Sequence, residues 1–189
     1  MSTARVGRWS GAAVVVLILL GIMAPAVTAS GRAGGGVPVL SEVRIARHDG
    51  FDRVVFELTG TVVPDATIDG PRANGPNAVT GDPSGFPVAV GGAQVFTVSM
   101  TPAIATYAAS SPPGPLYSGP SRFAPTDTAN VVAVVQTGDF ESVLTWAIGF
   151  RVTATPRVSI LTGPTRVVVD VPHSAAPAQP AAEAPSFTG

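Results

Sequence analysis

One stretch of this chain occurs twice, and the repetition limits the folds that the chain can adopt. Residues 43–58 (VRIARHDGFDRVVFEL) and 156–171 (PRVSILTGPTRVVVDV) align without a gap. Each copy places a glycine between two segments rich in Val, Ile and Leu, which is typical of a β-hairpin. Two matching hairpins predict two similar halves packed together in one small domain. The alignment pairs Arg44 with Arg157, Gly50 with Gly163 and Arg53 with Arg166.

The period of the apolar residues is that of β-strands. Side chains alternate between the two faces of a strand, so Val54, Phe56 and Leu58 face one way and Arg53, Val55 and Glu57 the other. The second copy alternates in the same way. We predict an all-β fold, a β-sandwich of two similar antiparallel sheets with an internal pseudo-two-fold repeat and long Pro/Gly-rich loops.

The other elements are placed with the same reasoning. Further strands are expected at 88–90, 95–100, 131–137 and 140–150, with a hairpin turn at Gly138-Asp139. Trp146 shares a face of the 140–150 strand with Leu144 and Ile148, so it is expected in the core. Residues 63–87 and 112–125 are rich in proline and glycine and are interpreted as loops outside the sheets. Residues 103–109 have room for at most one short helical turn.

The first 29 residues have the pattern of a secretory signal peptide. Arg5 and Arg8 precede an apolar run at 12–23, and small residues follow at 24–29. Cleavage is expected after Ala29, with Ala26 as the alternative. A retained membrane anchor is the other alternative, although the run is shorter than the roughly 20 apolar residues of a membrane span. The chain is therefore expected to be exported, to the extracellular space or the cell wall.

The rest of the chain divides into three parts. Residues 30–37 are interpreted as a flexible Gly-rich leader and 38–173 as the folded domain. Residues 174–189 form an Ala/Pro-rich tail with almost no large apolar side chain, and are interpreted as disordered.

Composition excludes several classes of protein. The chain has no cysteine, which excludes a lipoprotein anchor and disulfide bonds. It has no lysine and a formal net charge of −1, so it lacks the clustered cations that nucleic-acid binding requires. Membrane contact is expected only through an uncleaved signal segment. No cofactor, metal site or catalytic nucleophile is predicted, because no serine or histidine lies in a recognisable catalytic context.

Several blocks resemble the AMIN-like domain of secreted actinobacterial proteins. The residues 48–56 (HDGFDRVVF), 81–85 (GDPSG), 117–120 (YSGP), 138–146 (GDFESVLTW) and 164–171 (PTRVVVDV) resemble that family in the same order along the chain. The ending also resembles the wider AMIN domain of cell-wall amidases and secretin-type proteins. That resemblance implies a β-sandwich that has no catalytic residues, helps to place proteins in the envelope and can bind peptidoglycan.

The loop that begins at His48 is the first candidate site. It brings His48, Asp49, Asp52 and Arg53 into six residues, which suits a polar recognition loop or a weak metal site. The structural alternative, which we favour, is a hairpin turn at Asp49-Gly50, with Asp52 paired to an arginine. Arg47 lies in the inward phase of its strand. Either the strand has ended there, or Arg47 is partly buried beside a carboxylate.

The outward rows of the two hairpins are the second candidate site. Arg53 and Glu57 share one face, as do Arg166 and Asp170, and their arginines could grip the carboxylates of muropeptides. Solvated pairs across strands are the structural alternative, which we favour. Tyr117, in a Pro/Gly-rich loop, is a candidate for stacking on a sugar. Together with the export signal, the resemblance to the AMIN-like domain implies a non-catalytic exported module that recognises peptidoglycan or an envelope partner. Alternatives are an assembly domain without glycan affinity and, less favoured, a small wall hydrolase.

Overall fold

Two antiparallel β-sheets form the folded part of the chain. A computed structural model describes residues 36–106 and 116–174. One sheet has four strands in the order β1-β2-β9-β8, and the other has five in the order β3-β4-β7-β6-β5. The prediction of an all-β sandwich is confirmed. The strands are β1 (Leu40–Arg47), β2 (Phe51–Leu58), β3 (Asp65–Ala73), β4 (Gln94–Thr101), β5 (Arg122–Phe123), β6 (Val131–Phe140), β7 (Val143–Phe150), β8 (Arg157–Leu161) and β9 (Thr165–Pro172).

The two repeated hairpins lie side by side in the four-stranded sheet. The first copy forms β1 and β2, the second forms β8 and β9, and β2 pairs with β9 in the middle. Arg53 stands opposite Asp170 and Glu57 stands opposite Arg166. These two cross-strand pairs agree with the alignment of the copies, in which Arg53 corresponds to Arg166 and Glu57 to Asp170. The internal repeat is therefore a pseudo-two-fold relation between neighbouring strands of one sheet.

The main core lies between the two sheets. The side chain of Trp146 on β7 is fully buried, as predicted, and so is that of Phe56 on β2. Their ring centroids are 5.5 Å apart, so they join the two sheets directly. Truncating a core aromatic residue of this size to alanine costs about 3–5 kcal/mol. The Phe56–Trp146 pair thus packs the four-stranded sheet, whose outer face carries the candidate residues, against the five-stranded sheet.

The hairpin between β6 and β7 differs from the prediction. The turn lies at Glu141 and Ser142, whose φ angles of 51° and 63° give a two-residue hairpin loop, and not at Gly138-Asp139. Gly138 lies within β6, at a register irregularity. A Cβ atom at this position would lie 3.0 Å from the Cβ of Asp82. Gly138 therefore permits the close approach of the loop that carries Asp82, and it is not part of the turn.

Four further predictions need correction. Residues 112–125 are not all loop, because they contain β5, and neither are residues 63–87, because they contain β3, an edge strand of the five-stranded sheet. Its Gly70-Pro71 pair lies within a register shift, and proline is tolerated in edge strands and bulges. Residues 88–90 are not a strand. Val90 is buried there by packing against apolar residues of the sheet, without continuous backbone pairing. No helix forms at 103–106, and residues 107–109 lie outside the described part.

Several predicted segments lie outside the described residues. They are the signal peptide at 1–29, residues 30–35 of the leader and residues 175–189 of the tail. Within residues 36–106 and 116–174, no helix has the length and apolar character needed to cross a membrane.

Candidate functional site

Asp52 points into the protein, whereas its neighbours in the loop remain at the surface. It continues the inward phase of Val54 and Phe56 on β2, and it is fully buried. Its carboxylate accepts hydrogen bonds from the backbone amides of Asn130 at 2.6 Å and Val131 at 2.8 Å. The amide of Ala129 donates a third, at 3.1 Å. The expected pairing of Asp52 with an arginine is therefore wrong, because backbone amides of the segment before β6 satisfy the buried charge.

Asn130, which is buried, and His173, which is half-buried, complete the polar group around Asp52. The Nε2 atom of His173 lies 3.0 Å from Oδ1 of Asp52, and Nδ2 of Asn130 donates to the carbonyl of Pro172 at 2.7 Å. Burial by itself raises the pKa of Asp52. The amides of residues 129–131 and the His173 ring outweigh burial and hold that pKa below its usual range. This Asp52 cluster (Asp52, Asn130 and His173) joins the two sheets and has a structural role.

The remaining residues of the loop lie at the surface. Arg47 is the last residue of β1, pairs with Asp52 and is exposed, so neither alternative is confirmed, because the strand includes Arg47 and its side chain is not buried. Asp49 and Gly50 form the connection between β1 and β2, and Gly50 has a φ of 81°. The ring of His48 stacks on that of Phe51, with centroids 5.0 Å apart and planes 12° from parallel. A turn and an aromatic stack therefore account for much of the arrangement of the loop.

The outer face of the four-stranded sheet brings the other predicted residues together. We call this surface the charged face, and define it by the outward side chains of β1, β2, β9 and β8. The register places Arg44 beside Val55, Arg53 beside Asp170, and Glu57 beside Arg166. Val168, in the middle of the face, is 3% exposed. The charged face comprises Glu42, Arg44, Arg53, Val55, Glu57, Arg157, Ser159, Leu161, Arg166, Val168 and Asp170.

Two groups of ion pairs organise one part of the charged face. Arg53 forms a two-point contact with Asp170, with Nε to Oδ1 at 2.7 Å and Nη2 to Oδ2 at 2.8 Å. The hydrogen bond to Asp170 raises the pKa of Arg53. Arg44 bridges Glu57 at 2.7 Å and Glu42 at 2.6 Å, and the bond to Glu57 is the main cause of its raised pKa. The guanidinium of Arg53 also lies 5.1 Å from the ring centroid of Phe51.

Two arginines on the same face are left without an ion pair. Arg157 stands opposite Asp170, but Asp170 is bound by Arg53. Arg166 stands opposite Glu57, but Glu57 is bound by Arg44, and Nε of Arg166 donates instead to the carbonyl of Pro164 at 3.3 Å. Within residues 36–106 and 116–174, neither arginine has a carboxylate within ion-pair distance. These are the side chains best placed to meet an external anion.

The structure adds residues that the sequence prediction missed. Arg44 and Arg157 match each other in the alignment of the copies, yet neither was predicted as a site residue. The alternation of faces was the available signal, because Arg44 is in phase with Glu42 on β1 and Arg157 with Ser159 on β8. The pairing register between the two hairpins places the outward side chains of all four strands on one face. This register could not be deduced from the alternation of side chains.

The prediction that Tyr117 could stack on a sugar is wrong, because stacking requires an exposed ring. The side chain is 7% exposed and its hydroxyl donates to the carbonyl of Pro120 at 2.9 Å. The ring meets that of Trp146 edge to face at 6.3 Å, and burial raises the pKa of the phenol. The ring thus has apolar partners in the core, and the short Leu116–Pro120 segment folds over it.

Comparisons with known proteins identify one family. The described residues contain no group of three or more His, Cys, Asp or Glu side chains that could hold a metal ion. The comparison with curated proteins and the comparison with solved structures gave no match. The family model of the AMIN-like domain matches residues 38–173, which include every strand of the sandwich. The chain belongs to the AMIN-like domain family.

Proposed function

We propose that this domain is a non-catalytic, exported binding module that recognises peptidoglycan through its charged face. The AMIN-like family indicates a cell-wall-associated binding module in general. The observation that carries the finer proposal is the pair of guanidinium groups, Arg157 and Arg166, that lie on one sheet face without a carboxylate partner among the described residues. The charged face has four arginines and three carboxylates, an excess of positive charge on a chain whose formal net charge is −1.

The chemistry of peptidoglycan suits this surface. Its stem peptides carry carboxylates, which a planar guanidinium can bind at two points. Arg157 stands opposite Asp170, which lies four residues after Arg166 on β9. The two arginines are therefore separated by about 13 Å along the strand direction. Ser159, which is exposed between the two anchors, offers a hydroxyl contact to the ligand. The sandwich holds the strands in place, so little ordering of the backbone opposes binding.

Co-sedimentation of the full chain with purified insoluble peptidoglycan tests the proposal. We expect the wild type to enter the pellet only when wall material is present, and to enter it less at high salt. The double variant Arg157→Ala/Arg166→Ala should remain in the supernatant. Arg72→Ala, which removes an equal charge from the five-stranded sheet, is the matched control and should sediment like the wild type. A wild type that stays soluble at every load of peptidoglycan would refute the proposal.

A second candidate function is assembly without glycan affinity. Its supporting observation is the edge strand β8, on which Ile160 is 37% exposed and Leu161 is 43% exposed. Exposed apolar edge strands pair readily with other strands. This candidate requires concentration-dependent association of the purified chain, reversed by Ile160→Lys, and no sedimentation with peptidoglycan. Sedimentation-velocity runs over a hundredfold range of protein concentration distinguish the two functions.

A further inference from the structure

The strand β1 lies at an edge of the four-stranded sheet, and the described chain covers only the start of that edge. The amide of Leu40 donates to the carbonyl of Ile104 at 2.8 Å, and the amide of Ile104 donates to the carbonyl of Pro38 at 3.0 Å. Val39 and Ile104 also form an isolated parallel bridge. Beyond this point β2 is the only described strand that pairs with β1, so residues 43–47 have an open edge.

The open edge presents the backbone groups of three residues that share one face of β1. At the end of the β1–β2 hairpin, the amide of His48 donates to the carbonyl of Phe51 at 2.8 Å. Hydrogen-bonded and non-hydrogen-bonded pairs alternate along antiparallel strands. The residues of β1 that exchange hydrogen bonds with β2 are therefore those an even number of positions before His48. The amides and carbonyls of Val43, Ile45 and Arg47 point away from β2, where an added strand would pair with them.

An apolar groove of about 290 Å³ lies beside the open edge, between β1 and the end of β5. The residues that line it are Val43, Ile45, Phe123, Ala124 and Pro125. Ile45 and Phe123 are half-buried and pack against the main core, and the ring centroid of Phe123 lies 6.2 Å from that of Trp146. Two residues of β1 thus offer apolar side chains to the groove and free backbone groups at its rim. Alternate side chains of an added strand would enter the groove and leave water.

Arg47 continues the inward row of β1 beyond the groove. It lies two residues after Ile45, about 7 Å along the strand, and its side chain is exposed. Its cross-strand neighbour is Asp52, whose carboxylate is bound by three backbone amides and by His173. No ion pair in the described part of the chain includes Arg47. Its guanidinium is therefore available to a carboxylate of an added strand.

The charge of Arg47 favours a different protein over a second copy of this chain. A second copy that paired through its own β1 would bring the same inward row opposite Arg47, and that row holds two apolar side chains and an arginine. The inward row of the other long edge of this sheet, Val158 and Ile160 on β8, also has no carboxylate. A strand that satisfies both the groove and Arg47 needs apolar and acidic side chains in one row.

We propose that the open edge of β1 binds an extended segment of a partner protein by addition of a strand. The segment pairs with the backbone of residues 43–47, places two apolar side chains in the groove and presents an aspartate or glutamate to Arg47. The charged face is the outer face of this sheet, whereas the groove lies on its inner side. The site is therefore separate from Arg157 and Arg166, and its ligand is a peptide and not peptidoglycan.

Selection of peptides by the full chain tests the site. The probe is a library of random decapeptides displayed on phage, and the most enriched sequence is then synthesised with a fluorescent label for measurement of Kd. We expect enriched sequences to carry apolar residues at two alternate positions and an aspartate or glutamate next in the same row. Methylation of a peptide backbone nitrogen should weaken binding about tenfold at the alternate positions whose amides pair with β1, and much less at the positions between them.

Substitutions in the chain locate the peptide on β1. Ile45→Thr should weaken binding of the selected peptide about fivefold, whereas Ile160→Thr, the same change on the edge strand β8, is the matched control and should bind like the wild type. Arg47→Glu should weaken binding about tenfold, and Arg72→Glu on the edge strand β3 is its control. A peptide whose acidic residue is replaced by lysine should bind Arg47→Glu better than it binds the wild type. This exchange of charges also shows that the variant is folded.

The outcomes separate this site from the proposed function. Arg157→Ala/Arg166→Ala should keep its affinity for the selected peptide even if it no longer sediments with peptidoglycan. The absence of any enriched sequence would overturn the proposal, as would equal affinity of Ile45→Thr and the wild type. Methylation that acts equally at all positions would exclude strand addition. Loss of binding in Ile160→Thr but not in Ile45→Thr would overturn the assignment to β1 and place the peptide on β8.

Discussion

Replacing Asp52 by alanine should be among the most destabilising changes in the domain. The substitution removes the acceptor of three backbone amides, those of Ala129, Asn130 and Val131, and two of these residues are fully buried. Hydrogen bonds to a charged group contribute about 1.5–3 kcal/mol each, and water that enters the site would offset part of the loss. We expect a loss of about 3–5 kcal/mol, a large share of the roughly 5–15 kcal/mol that stabilises a typical domain. Urea unfolding followed by circular dichroism measures it.

The Asp52→Asn variant tests the charge of Asp52 separately from its shape. The pKa of Asp52 is lower in the folded chain than in the unfolded chain, so its contribution is present above the usual carboxyl pKa of about 4 and declines as the pH falls. The difference in unfolding free energy between wild type and Asp52→Asn should therefore shrink as the pH is lowered from 6 to 3. Asp49→Ala, in the exposed part of the loop, is the control and should change stability by less than about 0.5 kcal/mol. A loss below about 1 kcal/mol for Asp52→Ala, or a difference independent of pH, would refute the reasoning.

Three further mutational experiments follow from the geometry. A double-mutant cycle of Arg53→Ala and Asp170→Ala should give a coupling of about 0.5–1 kcal/mol in urea unfolding, because the pair is half-exposed and screened; zero coupling at low salt would contradict the two-point contact. Glu141→Asn with Ser142→Gly should raise the melting temperature by several degrees, because both positions have positive φ; a lower melting temperature would contradict the turn assignment. Gly149→Ala should cost more than about 2 kcal/mol, since the added Cβ would lie 2.1 Å from the carbonyl oxygen of Gly91; a thermal midpoint unchanged from the wild type would contradict this packing.

The fold was accessible from the sequence wherever the alternation of side chains continued over a whole strand. The apolar phase of β2 and β9 was correct, and the same phase could have placed Asp52 inside the protein, since it lies two residues before Val54. The prediction treated Asp52 instead as part of a polar recognition loop or, as the favoured alternative, as the partner of an arginine. Its partners are backbone amides 77 to 79 residues away, and amides carry no sequence signal.

The turns and the edge strand were harder to predict for a related reason. Gly138-Asp139 is a common turn sequence, but its glycine accommodates a loop from elsewhere in the chain, and Glu141-Ser142 turns despite unfavourable residue types. β3 contains Gly70-Pro71, which disfavours a strand locally, yet pairing with β4 outweighs that preference at an edge. Such tertiary contacts decide these elements, and a single sequence does not reveal them.

Nuclear magnetic resonance titration with a soluble stem peptide that carries free carboxylates, and no sugar, tests the role of the charged face most directly. Binding to this face should shift the amide signals of Arg157, Ser159, Arg166 and Val168 in the wild type, and the shifts should vanish in Arg157→Ala/Arg166→Ala. Signals of the five-stranded sheet should remain in place. An absence of shifts at millimolar peptide, or shifts confined to the five-stranded sheet, would contradict recognition of peptidoglycan through this face.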